Sequence, residues 1–305
     1  MDVKVVLLLV LVTLLLLDQR RVDGVKSLPK EEDLELEKQL KLLNKPAIKT
    51  MYNEHGDVID CVDFYKQPAF DHPLLKNHTF HYEMKPNINL LHIGARGQES
   101  SNFTKAASIR LKGGVCPIGT VPIRRTTKED LIREKLSSRI MSSDDNAPDT
   151  IYAVARARSD SKKFLGIAAG VISIQGPYSS GRQYSAARIK IQNGPDSLQV
   201  GWRVDPSLYG DSKTRLRLDA GAGVQSHCFN TKCPGFVIVR SDIPLDMVFD
   251  RITRPGPVLF YLAAHIIKDK VNGNWWVFIG ENFDAVGFWP KRIFTGLGDL
   301  ANKVE

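Results

Sequence analysis

Histidines and cysteines are the residues whose types could support chemistry in this chain, and their spacing excludes the commonest catalytic patterns. No G-x-S-x-G turn occurs, which argues against a serine hydrolase of that type. No H-E-x-x-H or C-x-x-C spacing occurs, which disfavours a zinc site. His227 and His265 have no paired nucleophile, and His78 with His81 is interpreted as part of an exposed loop. We therefore expect no cofactor and no metal ion.

Gln199 is a polar residue within a stretch that has the regular pattern of a β-strand. The sequence LQVGWRV at 198–204 alternates strictly between apolar and other residues. Successive side chains of a strand point to opposite faces, so this period of two is typical of a half-buried strand. Gln199 then lies opposite the stripe that contains Trp202, where its side chain could face a cleft. Its amide could donate a hydrogen bond to an oxyanion, but it cannot act as a general base.

The N-terminus predicts secretion. Lys4 precedes the apolar run Val5–Leu17, and Val22–Gly24 offers small residues suited to cleavage. The run is short for a stable membrane anchor, although a retained signal anchor is the alternative. Asn77 and Asn102 begin N-x-T sequons and are predicted glycosylation sites.

Secretion makes disulfides the preferred interpretation of the cysteines. Four cysteines permit three pairings. Cys228 and Cys233 are close enough in sequence to form a local loop, which leaves Cys61 and Cys116 as the second pair. Zinc binding is the alternative that the spacing disfavours.

The charge is moderate: the formal net charge is +8 and the sequence pI is about 9.2. Lys and Arg are spread without long basic blocks, so specific binding of nucleic acid is not indicated. Attraction to acidic polysaccharide at a cell surface is consistent with this charge.

Short apolar runs separated by turn residues predict an all-β fold in the C-terminal half, as an antiparallel β-sandwich. The Asn272-Gly273 dipeptide is a hairpin signal. A small mixed region precedes the sandwich, with helices expected at 31–43 and at 127–139, the second capped by Thr127. The predicted strands include 167–174, 198–204, 236–239, 258–267 and 275–279, and a weak helix is expected around 297–303.

Several unusual motifs, in order, resemble the plant neprosin family of secreted glutamic peptidases and peptidase-like proteins. They are KQPAFDHPLLKNH (66–78), CPIGTVPIRR (116–125), GWRVDPSLYGD (201–211), CFNTKCPGF (228–236) and GFWPKRIF (287–294). The resemblance implies a β-sandwich with a curved cleft, preceded by an activation peptide. The predicted organisation is a signal peptide at 1–24, an activation-peptide-like region with linker at 25–150, and a neprosin domain at 151–305 that is incomplete at its C-terminus. The polar segment 142–148 is the expected site of proteolytic removal.

The resemblance also implies a two-carboxylate mechanism of endopeptidase cleavage at acid pH. One family glutamate precedes the GW motif by two residues, and Gln199 holds that position here. The second lies in a WGGEV motif that would follow Glu305, so the sequence as given lacks it, and the Glu305 side chain is expected to be mobile. We interpret this copy as impaired, although a Gln–Glu pair serves in another glutamic peptidase family. The alternative is a non-catalytic extracellular module, in the apoplast or cell wall, that binds proline-rich peptide or wall polymer.

Overall fold

The computed structural model describes residues 29–88, 104–143, 153–158, 165–181, 183–221 and 229–305. The predicted signal peptide, Asn102, His227, Cys228 and most of the segment 142–148 lie outside these residues. No helix among the described residues is long and apolar enough to cross a membrane.

The chain divides into a unit that ends at Gln39 and a second compact unit, Leu40–Glu305. The domain boundary expected near residue 150 stays a prediction. The helices are α1 (Lys30–Leu43), α2 (Lys128–Ser143) and α3 (Pro206–Tyr209), and short 3-10 turns include Lys291–Ile293 and Gly296–Gly298. The strands are β1 (Ala47–Tyr52), β2 (Val58–Asp63), β3 (Thr104–Ala106), β4 (Thr120–Arg124), β5 (Ala157–Arg158), β6 (Ile167–Ser173), β7 (Ser185–Asn193), β8 (Asp196–Val204), β9 (Arg215–Gly221), β10 (Val237–Ile238), β11 (Leu259–Lys268), β12 (Trp275–Ile279), β13 (Asp284–Trp289) and β14 (Lys303–Val304).

These strands form three sheets. Sheet A has the order β1-β2-β4, and sheet C has the order β5-β14-β7-β8-β9. Sheet B runs β10-β13-β12-β11, and both β3 and β6 pair with β11. The pairings are antiparallel, apart from the parallel pair of β3 with β11. The predicted all-β, antiparallel fold is confirmed.

Sheets B and C pack around one hydrophobic core, which gives the sandwich. The predicted stripe of β8 is buried, with Leu198 and Val200 at 0% exposure and Trp202 at 4%. The Trp202 indole Nε1 donates a hydrogen bond to the carbonyl of Ser173 in β6, at 2.9 Å, so the two sheets are also joined by a polar contact. Burial of each such apolar side chain contributes about 1.5–3 kcal/mol relative to exposure.

The predicted start of α2 is confirmed by its cap. The backbone N–H of Thr127 donates to the carboxylate of Asp130, and the Asp130 N–H donates to the Thr127 hydroxyl. This reciprocal pair satisfies two backbone donors that the first helical turn leaves without partners.

Two local predictions are wrong. Residues 297–303 form no α-helix, because their backbone groups bond elsewhere: Asp196 accepts hydrogen bonds from the N–H groups of Thr295 and Leu297, and Ala301 exchanges hydrogen bonds with Leu165. The sequence at 87–115 has no clear periodicity, which predicts a loop, but β3 forms there because its backbone pairs with residues 259–261 of β11. A three-residue strand carries too little periodicity to be recognised in the sequence.

A buried ionic cluster joins the region around sheet A to sheet C. Asp57, which directly precedes β2, accepts hydrogen bonds from Arg215 of β9 at 3.0 Å and from Arg124 of β4 at 2.9 Å. Arg124 also contacts Asp130 at 3.1 Å. Asp57 and Arg215 are 7% and 2% exposed, so both charges depend on these partners rather than on water.

The substitution Asp57→Asn is expected to destabilise the fold by about 3–5 kcal/mol, because it leaves buried arginines without a carboxylate. Urea unfolding followed by tryptophan fluorescence measures the change. The control is Lys112→Gln, which breaks the exposed contact with Glu54 and should leave the unfolding midpoint unchanged. Equal midpoints for the Asp57 variant and the parent chain would contradict this view of the cluster.

Stability should also fall in acid. Burial opposes ionisation of Asp57, but Arg215 and hydrogen bonds from Asn53 and Arg124 outweigh it and lower the pKa of Asp57. The pKa of Asp130 is lowered, since Arg124 likewise outweighs burial. These stabilising contributions are complete above the ordinary carboxyl pKa of about 4 and are lost as the pH falls through the lower folded-state values. We expect the urea midpoint to decline below about pH 4, and to decline more steeply in the parent chain than in Asp57→Asn. Parallel pH profiles of the two proteins would contradict the contribution of Asp57.

Candidate functional site

The face of sheet C that points away from the core gathers the polar residues around Gln199, and we call it the Gln199 face. Strand β8 lies between β7 and β9, and Gln199 pairs with Lys190 on one side and Asp219 on the other. In the adjacent register, Gly201 pairs with Arg188 and Arg217. The predicted orientation of Gln199, opposite the buried stripe, is confirmed.

Gly201 is required by the close approach of β7. A Cβ at this position would lie 2.0 Å from the carbonyl oxygen of Ala187, and 2.6 Å from the Cα of Arg188. Because the obstruction is backbone, a side chain could fit only if the strand moved. The glycine therefore allows β7 and β8 to approach closely beside Gln199.

Arg217 and Asp219 form an ion pair next to Gln199. The Arg217 Nε donates to both carboxylate oxygens of Asp219, at 2.9 and 3.1 Å. The guanidinium also lies over the ring of Phe229, 4.0 Å from its centroid. Burial opposes the charge of Arg217, but the Asp219 carboxylate outweighs it, and the pKa of Arg217 is raised. Both carboxylate oxygens of Asp219 are thus engaged by Arg217.

Two buried polar atoms on this face have no hydrogen-bond partner among the described residues: the Gln199 Oε1, an acceptor, and the Arg217 Nη1, a donor. Both residues line one small concavity, bordered also by Arg188 and Arg203. Its volume of about 10 Å³ is close to that needed by one water molecule. Unpaired buried polar groups are costly, so this concavity is the place on sheet C best suited to receive a polar group.

Glu305 extends the row of paired residues that contains Asp219, Gln199 and Lys190. Its backbone exchanges two hydrogen bonds of 2.8 Å with Lys190. Its carboxylate lies 2.5 Å from Lys303, 2.8 Å from Arg156 and 3.6 Å from Lys190. The hydrogen bond from Lys303, assisted by Arg156 and Lys190, outweighs burial and lowers the pKa of Glu305 to about 2. The expectation that this side chain is mobile is therefore wrong: three cations hold it.

Comparison with known families agrees with the motifs. The family model described as Neprosin matches residues 181–305, and the one described as Neprosin activation peptide matches residues 50–164. The chain belongs to the neprosin family. The neprosin match contains β7–β14 and so the central strands of the Gln199 face, whereas sheet A lies in or next to the activation-peptide match.

The two matched regions contact each other directly. The Gln67 side chain, in the activation-peptide match, donates to the carbonyl of Ile238 at 3.2 Å and accepts from the Ile238 N–H at 2.8 Å. This reciprocal pair mimics a backbone strand pairing at β10. Strand β3 adds a second junction through its parallel pairing with β11.

The remaining predicted residues have separate locations. Cys61 and Cys116 form the predicted disulfide, whereas the pair Cys228–Cys233 includes a residue outside the described part of the chain. Asn77 is exposed, as a glycosylation site requires, and its modification stays a prediction.

The histidines that the structure describes do not converge on the Gln199 face. His78 stacks on Phe70, with ring centroids 3.7 Å apart, and His265 packs on Phe283 at 4.4 Å. No group of possible metal-ligating side chains occurs among the described residues.

Arg217 and Asp219 were missed in the sequence as members of the site. The signal was present in RLRLDAG, the sequence of β9, where charged residues alternate with Leu216 and Leu218. That alternation puts both charges on the outer face of a strand, but only the sheet order shows that this face adjoins Gln199.

The substitution Gly201→Ala should destabilise the protein by about 1–3 kcal/mol, because the methyl group displaces β7. Thermal unfolding by circular dichroism measures the loss. Gly113→Ala is the control, because a Cβ there meets nothing within 4 Å. Similar melting temperatures for both variants would show that the approach of β7 to β8 is not tight.

Proposed function

We propose that this chain is a secreted, peptidase-related neprosin protein that binds extended peptide on the Gln199 face and hydrolyses it poorly or not at all. The observation that carries the proposal is an acceptor and a donor that are buried without partners, the Gln199 Oε1 and the Arg217 Nη1, on two residues that line one concavity. A peptide group offers a matching N–H donor and carbonyl acceptor. Its binding would satisfy both atoms at once.

Access to these atoms requires a small rearrangement. The concavity holds about one water molecule, so a peptide group must displace that volume of solvent and move a bordering side chain. Arg188 and Arg203 are long side chains at its border, and the rearrangement of such side chains is fast. An extended ligand then lies across the strands of sheet C.

Impaired hydrolysis follows from the side chains beside the concavity. Family resemblance places a catalytic glutamate at position 199, and a glutamine there has no ionisable oxygen to take a proton from water. Asp219 is the neighbouring carboxylate, but both of its oxygens accept from Arg217. The face therefore offers hydrogen bonds to a ligand without a free general base at its centre.

Secretion is part of the proposal. Its support is the Lys4 and Val5–Leu17 pattern of a signal peptide, together with the Cys61–Cys116 disulfide, a bond favoured in oxidising compartments. Location in the apoplast or cell wall would follow from the family resemblance.

Binding and turnover of one labelled proline-rich peptide test the proposal at acid and neutral pH. Fluorescence anisotropy should show binding, and mass spectrometry should show the peptide intact. Gln199→Leu should weaken binding about five- to tenfold through the lost hydrogen bond. The matched control, Gln192→Leu, changes the same residue type on β7 outside the concavity and should bind like the parent chain.

Cleavage by the parent chain would overturn the impaired part of the proposal. Cleavage by Gln199→Glu alone would identify the missing carboxylate as the cause. Unchanged affinity in Gln199→Leu, or preferential binding of a neutral wall oligosaccharide, would overturn the peptide site.

A further inference from the structure

A second surface of the protein forms an open groove of about 500 Å³. We call it the Lys291 groove and define it by Phe80, Asn272, Asn274, Lys291, Arg292 and Phe294. Its residues belong to the hairpin turn before β12, the 3-10 turn after β13 and the end of the segment 64–80. None of them lies in the Gln199 face.

Positive charge in this groove lacks a carboxylate partner among the described residues. The Lys291 ammonium makes no ion pair there, and Arg292 has only a 3.5 Å contact with the carbonyl of Leu74 and a position over the ring of Phe80. Asp299 also lines the groove and offsets part of the charge. Exposed cations are usually solvated, so the groove needs further evidence before it becomes a site.

That evidence is a largely buried amide side chain, Asn274, which lines the groove. Asn274 is 4% exposed, and its Oδ1 accepts a hydrogen bond from the Lys291 N–H at 3.0 Å. Its Nδ2 has no acceptor among the described residues, although the residue lines the groove. The Nδ2 of a side chain held by its Oδ1 is thus available as a donor beside two cations.

The groove is held in shape by buried contacts. The Asp196 carboxylate accepts hydrogen bonds from the backbone N–H groups of Thr295 and Leu297, at 2.8 and 3.1 Å. The stem of Lys291 crosses Gly273, whose φ of +77° and lack of a side chain leave the space that the stem occupies. Because these elements are fixed before a ligand arrives, little ordering cost accompanies binding.

Below the floor of the groove, Lys268 donates to the carbonyls of Leu297 and Gly298, at 3.1 and 3.0 Å. Burial, assisted by the charge of Lys291 and opposed by Asp299, lowers the pKa of Lys268 to about 8. Two cations therefore repel each other with one carboxylate nearby, a situation that a bound anion would relieve.

We propose that the Lys291 groove binds an acidic oligosaccharide, a chain of uronate sugars. Lys291 and Arg292 neutralise uronate carboxylates, the Asn274 amide donates to a hydroxyl or ring oxygen, and the partly exposed ring of Phe80 contacts the apolar face of a sugar. The groove is open, as an extended polymer requires, and the net charge of +8 favours approach of a polyanion. This mixture of one aromatic ring, one amide and two cations favours a sugar acid over an acidic peptide, which would not need the aromatic face.

Isothermal titration calorimetry of the purified full chain with an oligogalacturonate tests the site. The fully methyl-esterified oligomer, which keeps the sugar shape but has no charge, should bind at least tenfold more weakly. The double variant Lys291→Gln/Arg292→Gln should lose about tenfold in affinity. The control Lys49→Gln/Lys105→Gln removes the same charge from exposed positions on β1 and β3 and should bind like the parent chain.

Proton uptake on binding gives a second measurement, which non-specific electrostatic attraction of the polyanion would not produce. An anion in the groove raises the pKa of Lys268, so binding near pH 8 should take up protons, detected as a dependence of the measured enthalpy on the buffer. This uptake should vanish in Lys268→Met.

Three results would overturn the proposal: no binding, equal binding of the esterified oligomer, or equal losses in the two double variants. Equal binding of an oligoglutamate of the same charge would overturn the preference for sugar. None of these measurements depends on Gln199, so failure here leaves the peptide site standing, and failure of the peptide site leaves this one.

Discussion

The ion pair between Asp57 and Arg215 is the contact on which the arrangement of the polar strands depends. Arg215 begins β9, and its guanidinium is buried among Asp57, Asp211 and the carbonyl of Asp246. A buried guanidinium is tolerated only where acceptors surround it, so the strand is fixed in position at its first residue. Arg217 lies two residues further along the same strand, so fixing Arg215 also positions Arg217, which forms an ion pair with Asp219. A carboxylate from the activation-peptide region thus helps to place a side chain of the neprosin domain.

Strand β8 connects the two surfaces for which ligands are proposed. Its first residue, Asp196, braces the segment 295–297 at the Lys291 groove, and Gln199 lies three positions later on the outer face of sheet C. The two surfaces differ in how their charges are satisfied. On the Gln199 face most charges are neutralised internally, whereas in the groove Lys291 has no carboxylate partner among the described residues. The first surface suits a neutral, hydrogen-bonding ligand, and the second suits an anion.

The sequence predicted the fold better than the site. Alternation in 198–204 and the Thr127 cap each depend on local geometry, which neighbouring residues determine. The Asn272-Gly273 dipeptide does lie between β11 and β12, but the connection spans 269–274 rather than two residues, because the Asp269 carboxylate accepts hydrogen bonds from the N–H groups of Val271 and Asn272. The helix predicted at 297–303 does not form, because the Asp196 carboxylate, about a hundred positions earlier in the sequence, accepts the hydrogen bond of the Leu297 N–H. The Arg217–Asp219 pair was visible as alternation, but its position beside Gln199 depends on the order of strands. The Lys291 groove combines three segments distant in sequence, so no local pattern indicates it.

The disulfide has a consequence for any cut made in the segment between α2 and β5. Cys61 and Cys116 both precede that segment, so their bond ties the N-terminal piece to itself and not to the remainder. After such a cut, the described contacts across the junction are non-covalent: the Gln67 pairing with Ile238, the parallel strand β3 and the Asp57–Arg215 ion pair. The two pieces would then behave as a complex with a dissociation constant. Dilution and acid, rather than the cut alone, would determine when the N-terminal piece leaves and the edge of β11 becomes open to another strand.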